Sequence, residues 1–437
     1  MAEKDCGSMH WAKNGELMRK TDLDNNISGA ADSKRNFILF TIAIFASFAV
    51  FGLSDMIRGT VLPRIQADFS LTELHLGIML AVSSSGYLLT CTLTAALARR
   101  IGIKSCHILG LALIVVSGAA IYLAPNFAAV LLGFFLLNLA FGMLEISVGV
   151  IAAKIFTKNT GTMMNLAHFA FGAGAVFAPI ISTGIMAARF GDQVLSWRHV
   201  YLIALCFAIV PVIPLLLGRL KKGDDGRKKL NHTALLGKPA MWMVGMILFL
   251  GVVGEAGIAS WFVSYLEVTL GFTGEQSALN MTMYFITFTL ARLILGPFID
   301  RIGFMNSLII ATGFAAVMIT LGVVFGEGGR VMIILSGVGI APIFPTVMAV
   351  VAKLFSDTIE LAMTTIMTML GVLMIPANIL VGGVISQSRV IFTDRYGEAG
   401  AAMAFSAGFL IFGIAAFLAF AFALTLRIRQ KRLGKLV

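Results

Sequence analysis

The chain has 437 residues, of which 58% are hydrophobic and 13% are charged, about half the charged share of an ordinary soluble domain. That composition excludes a soluble enzyme. Net charge is +11, from 33 Lys and Arg against 22 Asp and Glu, and topology accounts for it better than a nucleic-acid partner would.

In chain order, residues 1–36 are polar and mixed in charge, and read as a disordered tail rather than a cleavable signal peptide. From Phe37 to Leu426, apolar stretches of roughly twenty residues recur with short polar breaks, each long enough to cross a bilayer as a helix. Spans are predicted near residues 37–62, 74–98, 105–124, 127–153, 161–188, 197–218, 240–266, 277–300, 305–326, 329–353, 360–390 and 400–426. The expected fold is therefore an all-α membrane protein with twelve transmembrane helices. Residues 37–218 and 240–426 form two six-helix bundles, 219–239 a cytosolic linker rich in Gly, Lys and Arg, and 427–437 a basic tail. On this map 25 Lys and Arg fall on one side, six on the other (Arg64, Arg189, Arg198, Arg330, Arg389, Arg395), and two, Arg58 and Arg292, within spans. The basic side is expected to be cytosolic, which puts both termini in the cytosol of a multi-pass protein of the plasma (inner) membrane.

The four cysteines, Cys6, Cys91, Cys106 and Cys206, have no metal-ligand spacing and read as small apolar fillers. No metal or cofactor is expected. No phosphate-binding Gly-x-x-x-x-Gly-Lys-Ser/Thr loop occurs, so direct ATP coupling is not expected either.

The two halves repeat. Arg100-Ile101-Gly102 recurs as Arg301-Ile302-Gly303, and Ala153-Lys154-Ile155-Phe156 recurs as Ala352-Lys353-Leu354-Phe355, an offset near 200 residues. Parallel halves holding a substrate between them near the midplane are the mark of an alternating-access transporter.

After span 8 the chain reads Gly296-Pro297-Phe298-Ile299-Asp300-Arg301-Ile302-Gly303. This resembles the gating motif of the major facilitator superfamily, and the resemblance runs over the whole chain after the tail. It implies that fold and a gating role for Gly296, Asp300, Arg301 and Gly303, in which the aspartate and arginine tie neighbouring helix ends together in one state. The first half departs from the motif, with Ala95 in place of the glycine and Arg99 in place of the aspartate. Three stretches look like the fucose permease branch of that superfamily: Gly142-Met143-Leu144-Glu145 in span 4, Asn165-Leu166-Ala167-His168 in span 5, and the loop Leu62-Pro63-Arg64-Ile65-Gln66-Ala67-Asp68-Phe69. The resemblance implies proton symport of a hexose with Glu145 as a protonation site. Counted back from Pro63, the permease's span 1 aspartate falls on Gly59, with Asp55 one turn earlier on the same face, and the span 5 polar positions hold His168 and then Phe171.

An ionised side chain facing lipid is costly, so intramembrane charges are candidate functional groups. Glu145, about 12 Å into span 4, and His168, about 10 Å into span 5, share a level and could pair. Asp55 and Glu255 lie deeper, as near symmetry mates expected to face one another across the cavity. Arg58, at i+3 from Asp55, could neutralise either. Asp55, Glu145, His168 and Glu255 are thus the candidate proton-coupling groups, and Asp55, Arg58, His168, Phe171 and Glu255 candidate substrate contacts. Arg292 reads as a partner of the gating aspartate or of a helix end. Trp261 and Tyr265, at i and i+4, offer either a stacking face for a sugar or a lipid-interface belt. Asn165 and Asn378 are amides in apolar helices, for packing or for substrate.

The reading that follows is a secondary transporter, not an enzyme. It would move a small-molecule substrate with protons across the bilayer as a monomer, by symport of a sugar or similar polar solute. Proton-coupled efflux of amphipathic compounds is the alternative, and a non-transporting sensor or scaffold a third.

Overall fold

The computed structural model describes residues 6–156, 160–220, 233–397 and 399–432, with side chains from Lys34 onward except for a few that include Cys91 and Asn165. Twelve helical crossings make up the fold. The first is the membrane part, Lys34–Asp68, of α1 (Cys6–Asp68). It is followed by α2 (Glu73–Ile101), α3 (Ile103–Leu123), α4 (Phe127–Ile155) and α5 (Thr160–Ala187). A two-residue hairpin, β1 (Arg189–Phe190) with β2 (Gln193–Val194), turns at Gly191 and leads into the sixth crossing. That crossing is α6 (Trp197–Cys206), a 3-10 turn (Phe207–Ile209) and α7 (Val212–Leu217). Pro211 explains the break, because proline has no N–H to donate to the carbonyl four residues before it.

After residues 221–232, which lie outside the description, the short α8 (Thr233–Leu236) leads into the second half. There the crossings are α9 (Pro239–Leu270), α10 (Gly274–Ile302), α11 (Phe304–Val324), α12 (Gly326–Ile340) with α13 (Ile343–Leu354), α14 (Ile359–Tyr396) and α15 (Ala399–Arg432). Among the described residues eleven helical segments are long and apolar enough to cross a membrane. The twelfth crossing is α2, 29 residues long, whose Ser, Thr and Arg content dilutes its apolar character. Twelve crossings place both chain ends on one face, here called the termini face.

The segment expected to be a disordered tail contains the start of α1 at Cys6, and residues 1–5 lie outside the description. Two expectations are corrected. The stretch from Leu62 to Asp68 is not a loop: α1 continues through Pro63. The tenth crossing is two helices rather than one, because Pro345 cannot bond to the carbonyl of Ala341 and Pro342 stands at the junction.

Within the first half α4 packs on α2 and α3, and α1 on α5; within the second α9 packs on α15, and α11 on α12 and α15. The halves meet along α2 and α14, α5 and α10, and α1 and α9. The repeat is visible in the backbone. Gly102 joins α2 to α3 at φ +85° and Gly303 joins α10 to α11 at φ +88°. A side chain there meets no neighbour, but positive φ with ψ near 150° is a conformation essentially kept for glycine and costs about 1–3 kcal/mol. Gly303→Ala should therefore lower thermal stability in detergent by roughly that amount, and Gly102→Ala by a similar one, while a helical glycine with open space around it such as Gly296 should tolerate alanine.

Candidate functional site

A cavity of about 940 Å³ lies between the halves, large enough for a drug-sized solute. Its deep walls come from α1 (Phe48, Phe51, Asp55, Arg58), α2 (Ser84, Tyr87), α4 (Asn138, Phe141, Glu145) and α5 (His168, Phe171). Opposite stand α9 (Val252, Glu255, Ala256), α10 (Arg292), α13 (Phe344, Thr346) and α14 (Leu370, Met374). Gly296, Pro297 and Asp300 of α10 and Phe304 of α11 line its outer part. All four belong to the α10–α11 junction at the termini face, so the cavity opens there.

Two ion pairs mark the cavity walls. Asp55 Oδ1 meets Arg58 Nη1 at 3.0 Å, one turn apart on α1. Glu255 Oε1 meets Arg292 Nη2 at 3.4 Å, between α9 and α10. Of the two acids that Arg58 could neutralise it pairs with Asp55, and Glu255 has Arg292. Of the two places expected for Arg292, beside the gating aspartate or at a helix end, the structure gives the second, at Ala341 at the end of α12. Arg292 lies ten residues before the end of α10, about 15 Å into the helix. There Arg292 Nε donates to the Ala341 carbonyl at 3.2 Å, and its guanidinium lies 4.3 Å from the Phe288 ring centroid. The Ala341 carbonyl is the acceptor that Pro345 leaves without its helical donor, so one arginine closes both the break in the tenth crossing and the Glu255 pair.

Glu145 accepts a 2.5 Å hydrogen bond from the Tyr87 hydroxyl. His168 lies on Phe48, with ring centroids 4.9 Å apart, and Phe171 meets Phe51 edge-on at 5.2 Å. Glu145 and His168 thus line one cavity as expected from their depth, but no hydrogen bond joins them among the described residues.

Other candidates fall elsewhere. Trp261 and Tyr265 are fully buried against α15, the former near Phe405 and the latter 4.3 Å from Phe409, so they form neither a stacking face nor a lipid belt. Asn378 of α14 donates to Ser84 Oγ at 3.0 Å and joins the halves outside the cavity lining. The side chain of Asn165 lies outside the description. Asp300 and Gly296 sit at the cavity mouth, while Arg301 is exposed at the end of α10.

The opposite face is closed by ion pairs between the halves. Arg64 of α1 meets Glu267 of α9 at 2.6 Å, and Glu73 of α2 meets Arg389 of α14 at 2.7 Å. Gln66 adds a 3.1 Å bond to Glu73, whose side chain is 2% exposed. Beneath this lock, Gly77 and Gly382 let α2 and α14 approach until a Cβ on either would strike the other helix's backbone. Below the Arg64 pair, Gly59 lies against the Ala259 carbonyl in the same way. Asp68 ties α1 to α6 within the first half, accepting from Trp197 Nε1 at 3.2 Å and Arg198 Nη2 at 3.1 Å.

Sequence reasoning missed the lock, Tyr87, and the buried His107, whose ring bridges Ser47 of α1 and Ser147 of α4 at 2.9 and 2.8 Å. A tyrosine among apolar residues carries no charge to draw attention. The lock joins residues about 200 or 300 positions apart, and neither pair has a local spacing to reveal it.

Twelve helices in two repeated halves around a central cavity, open at one face and locked at the other, define a membrane transporter. The sequence profile of the Major Facilitator Superfamily matches residues 44–377. The chain belongs to that superfamily. It is 23% identical over 322 residues to an uncharacterised MFS-type transporter of Yersinia pestis, covering 70% of this chain and 81% of that one. It is 24% identical over 309 residues to an uncharacterised transporter of Sinorhizobium fredii, covering 68% and 79%. Among solved structures, a bacterial homologue of the human lysosomal transporter Spinster aligns at TM-score 0.71 and 14% identity, covering 90% of this chain and 98% of that one. The fucose transporter FucP aligns at TM-score 0.61 and 18% identity, covering 90% and 99%. A D-xylose-proton symporter aligns at TM-score 0.71 and 13% identity, covering 88% and 97%.

Two measurements check this geometry. Double-mutant cycles on thermal stability should show coupling for Asp55→Asn with Arg58→Ala and for Glu255→Gln with Arg292→Ala, while the cross pair Glu255→Gln with Arg58→Ala should be additive. Coupling confined to the cross pair would reverse the assignment. For the lock, Arg389→Ala leaves the buried Glu73 unpaired, a loss of about 3–5 kcal/mol. A cysteine introduced by Ser84→Cys should then react faster with an impermeant thiol reagent supplied at the opposite face, and an unchanged rate would make the lock passive.

Proposed function

We propose that this transporter couples movement of a small polar solute, with sugars the leading class, to a proton carried by Glu145. One observation supports the reading above others. Among the described cavity residues, Asp55 and Glu255 each have a guanidinium within 3.4 Å, whereas Glu145 has a phenol. A carboxylate without a compensating cation in a partly dry wall can take up a proton and release it as the wall becomes wet. Tyr87 serves either state, donating to the carboxylate and accepting from the carboxylic acid if its hydroxyl rotates. His168 and the Asp55 and Glu255 pairs, which line the same cavity, would orient solute hydroxyls.

The moving parts in this reading are the bundles 37–218 and 240–426, joined through 219–239, with the termini face cytosolic in a plasma (inner) membrane. The excess of Lys and Arg on that face supports the orientation. Asp300, at the mouth, would act in closing the termini face. The cavity is completed within one chain, so one monomer suffices.

Export of amphipathic compounds is the second reading, and the wall composition favours it. Phe48, Phe51, Phe141 and Phe171 line the cavity with Val252, Leu370 and Met374, a surface suited to an apolar body as well as to a sugar ring.

The test is purified protein in liposomes under an imposed pH gradient, offered radiolabelled hexoses and fluorescent amphipathic cations. Sugar accumulation with proton entry supports symport, and gradient-driven dye extrusion supports the second reading. In the transported substrate's own assay, Glu145→Gln should abolish proton-driven accumulation while keeping substrate exchange, because a neutral mimic can bind yet cannot carry a proton. Undiminished accumulation in that variant would remove Glu145 from the coupling.

A further inference from the structure

Beside the Asp55–Arg58 pair, next to the large cavity, lies a second and much smaller pocket of about 10 Å³. Its polar lining comes from Ser54, Asp55 and Arg58 of α1, Ser83 of α2, Asn138 of α4 and Tyr201 of α6. Phe134, Leu137 and Phe141 close it. Three atoms around this pocket are buried with no hydrogen-bond partner: Ser54 Oγ, Arg58 Nε and the Tyr201 hydroxyl. The Ser54 and Tyr201 residues are 1% and 0% exposed. Leaving one such group unsatisfied costs about 1–3 kcal/mol, and three that converge on one pocket point to a common ligand.

We infer that this pocket binds a single water molecule, held by Arg58 Nε, the Tyr201 hydroxyl and Ser54 Oγ, and that Tyr201 is thereby a positioning residue for the Asp55–Arg58 pair. The volume matches the minimum of about 10–15 Å³ that one water requires, and the site offers the two to four polar partners it needs. Donor chemistry excludes the other small occupants. The Arg58 Nε–H can only donate, so its partner must carry a lone pair, and a bare metal cation would face a guanidinium. A halide would face the Asp55 carboxylate. Water accepts from Arg58 Nε and the Tyr201 hydroxyl with its two lone pairs, donates one hydrogen to Ser54 Oγ and has one left. Asn138 Oδ1 can take it, because Asn138 Nδ2 already donates to the Phe134 carbonyl at 3.0 Å, and Ser83 Oγ is the alternative, its proton being committed to the Met79 carbonyl at 2.9 Å.

Asp55, Arg58, Asn138 and Phe141 line both spaces, so the ion pair is a partition between them. The water anchors the Arg58 side of that partition to α6 of the same bundle. Asp55 then keeps its compensating charge when α9 and α10 move relative to α1. Importance for transport rests on the proposed proton-coupled reading; the water site does not.

A structure of the full chain at a resolution that shows ordered waters tests the site directly. One density peak about 2.7–3.2 Å from Arg58 Nε and the Tyr201 hydroxyl is expected, unchanged in sodium-free and potassium-free buffer. An empty pocket, or a peak that disappears with those cations, overturns the inference. The positioning role is read from Tyr201→Phe, which keeps the ring at its 5.2 Å centroid distance from Phe134 and removes only the hydroxyl. Transport should slow about threefold to tenfold with a displaced pH profile, and Tyr201→Leu should lose stability as well. A wild-type rate and pH profile in a folded Tyr201→Phe would overturn the positioning role even with the water present. If the wild-type protein moves none of the solutes offered, the transport reading fails separately and the density alone decides the water.

Discussion

An ionised group taken into hydrocarbon has to be paired or reach water, and the cost of doing neither organises both ends of this molecule. Pairing follows a rule that only the three-dimensional structure reveals. In the cavity each pair lies within one half: Asp55 with Arg58 in the first, Glu255 with Arg292 in the second. At the opposite face the pairs run between halves: Arg64 with Glu267, and Glu73 with Arg389. Rigid-body rocking of the halves would leave the deep pairs intact within their own bundle and separate only the pairs at the opposite face, where water can replace a lost partner.

Closing the opposite face also needs shape. Charge alone would hold α2 and α14 at side-chain distance, but Gly77 against Gly382 lets the backbones touch, and Asn378 bonds Ser84 just below. Small residues at a helix interface replace the hydrophobic drive that lipid removes, since apolar side chains gain nothing by leaving acyl chains for each other. The lock thus has two layers, an ionic one that can dissociate and a steric one that seals without adhesion. The same division explains the buried aromatic block of Trp261, Tyr265, Phe405 and Phe409 inside the second half. Bulky interdigitated rings suit an interface that stays closed.

Sequence periodicity and charge were enough to read the twelve crossings and the repeat, because each rests on local spacing, and to pick out Asp55, Arg58, Glu145, His168 and Glu255 as ionisable groups within spans; that all five line one cavity comes from the structure. What depth cannot give is azimuth. Trp261 and Tyr265 have the depth and the i, i+4 spacing of a binding face, yet they point into the bundle. Arg292 has a reach of several ångströms and could have served either the mouth or the midplane. Its position follows from a carbonyl that Pro345 leaves without a donor, a requirement created by a different helix about fifty residues away. Tyr87, Tyr201 and His107 escaped for the related reason that neutral polar side chains look like filler until their partners are known.

The two halves have diverged in how they meet the cavity. Gly102 and Gly303 keep the same positive-φ joint, yet the aspartate of the gating motif survives only as Asp300, with Arg99 at the matching place. Along the cavity the first half supplies Ser84, Tyr87, Asn138, Glu145 and His168 beside its ion pair, while the second supplies Thr346 and its own pair against Val252, Ala256, Leu370 and Met374. Hydrogen-bond donors fix a solute's orientation, whereas apolar walls mainly fix its volume. The first half thus brings more polar side chains to the cavity, together with the rings of Phe48, Phe51, Phe141 and Phe171. The second brings its own ion pair, with Gly296 and Asp300 at the mouth. Each glycine joint turns the chain inside one copy, between α2 and α3 or between α10 and α11, so the duplicated backbone turn has been kept while the side chains facing the cavity have diverged around it.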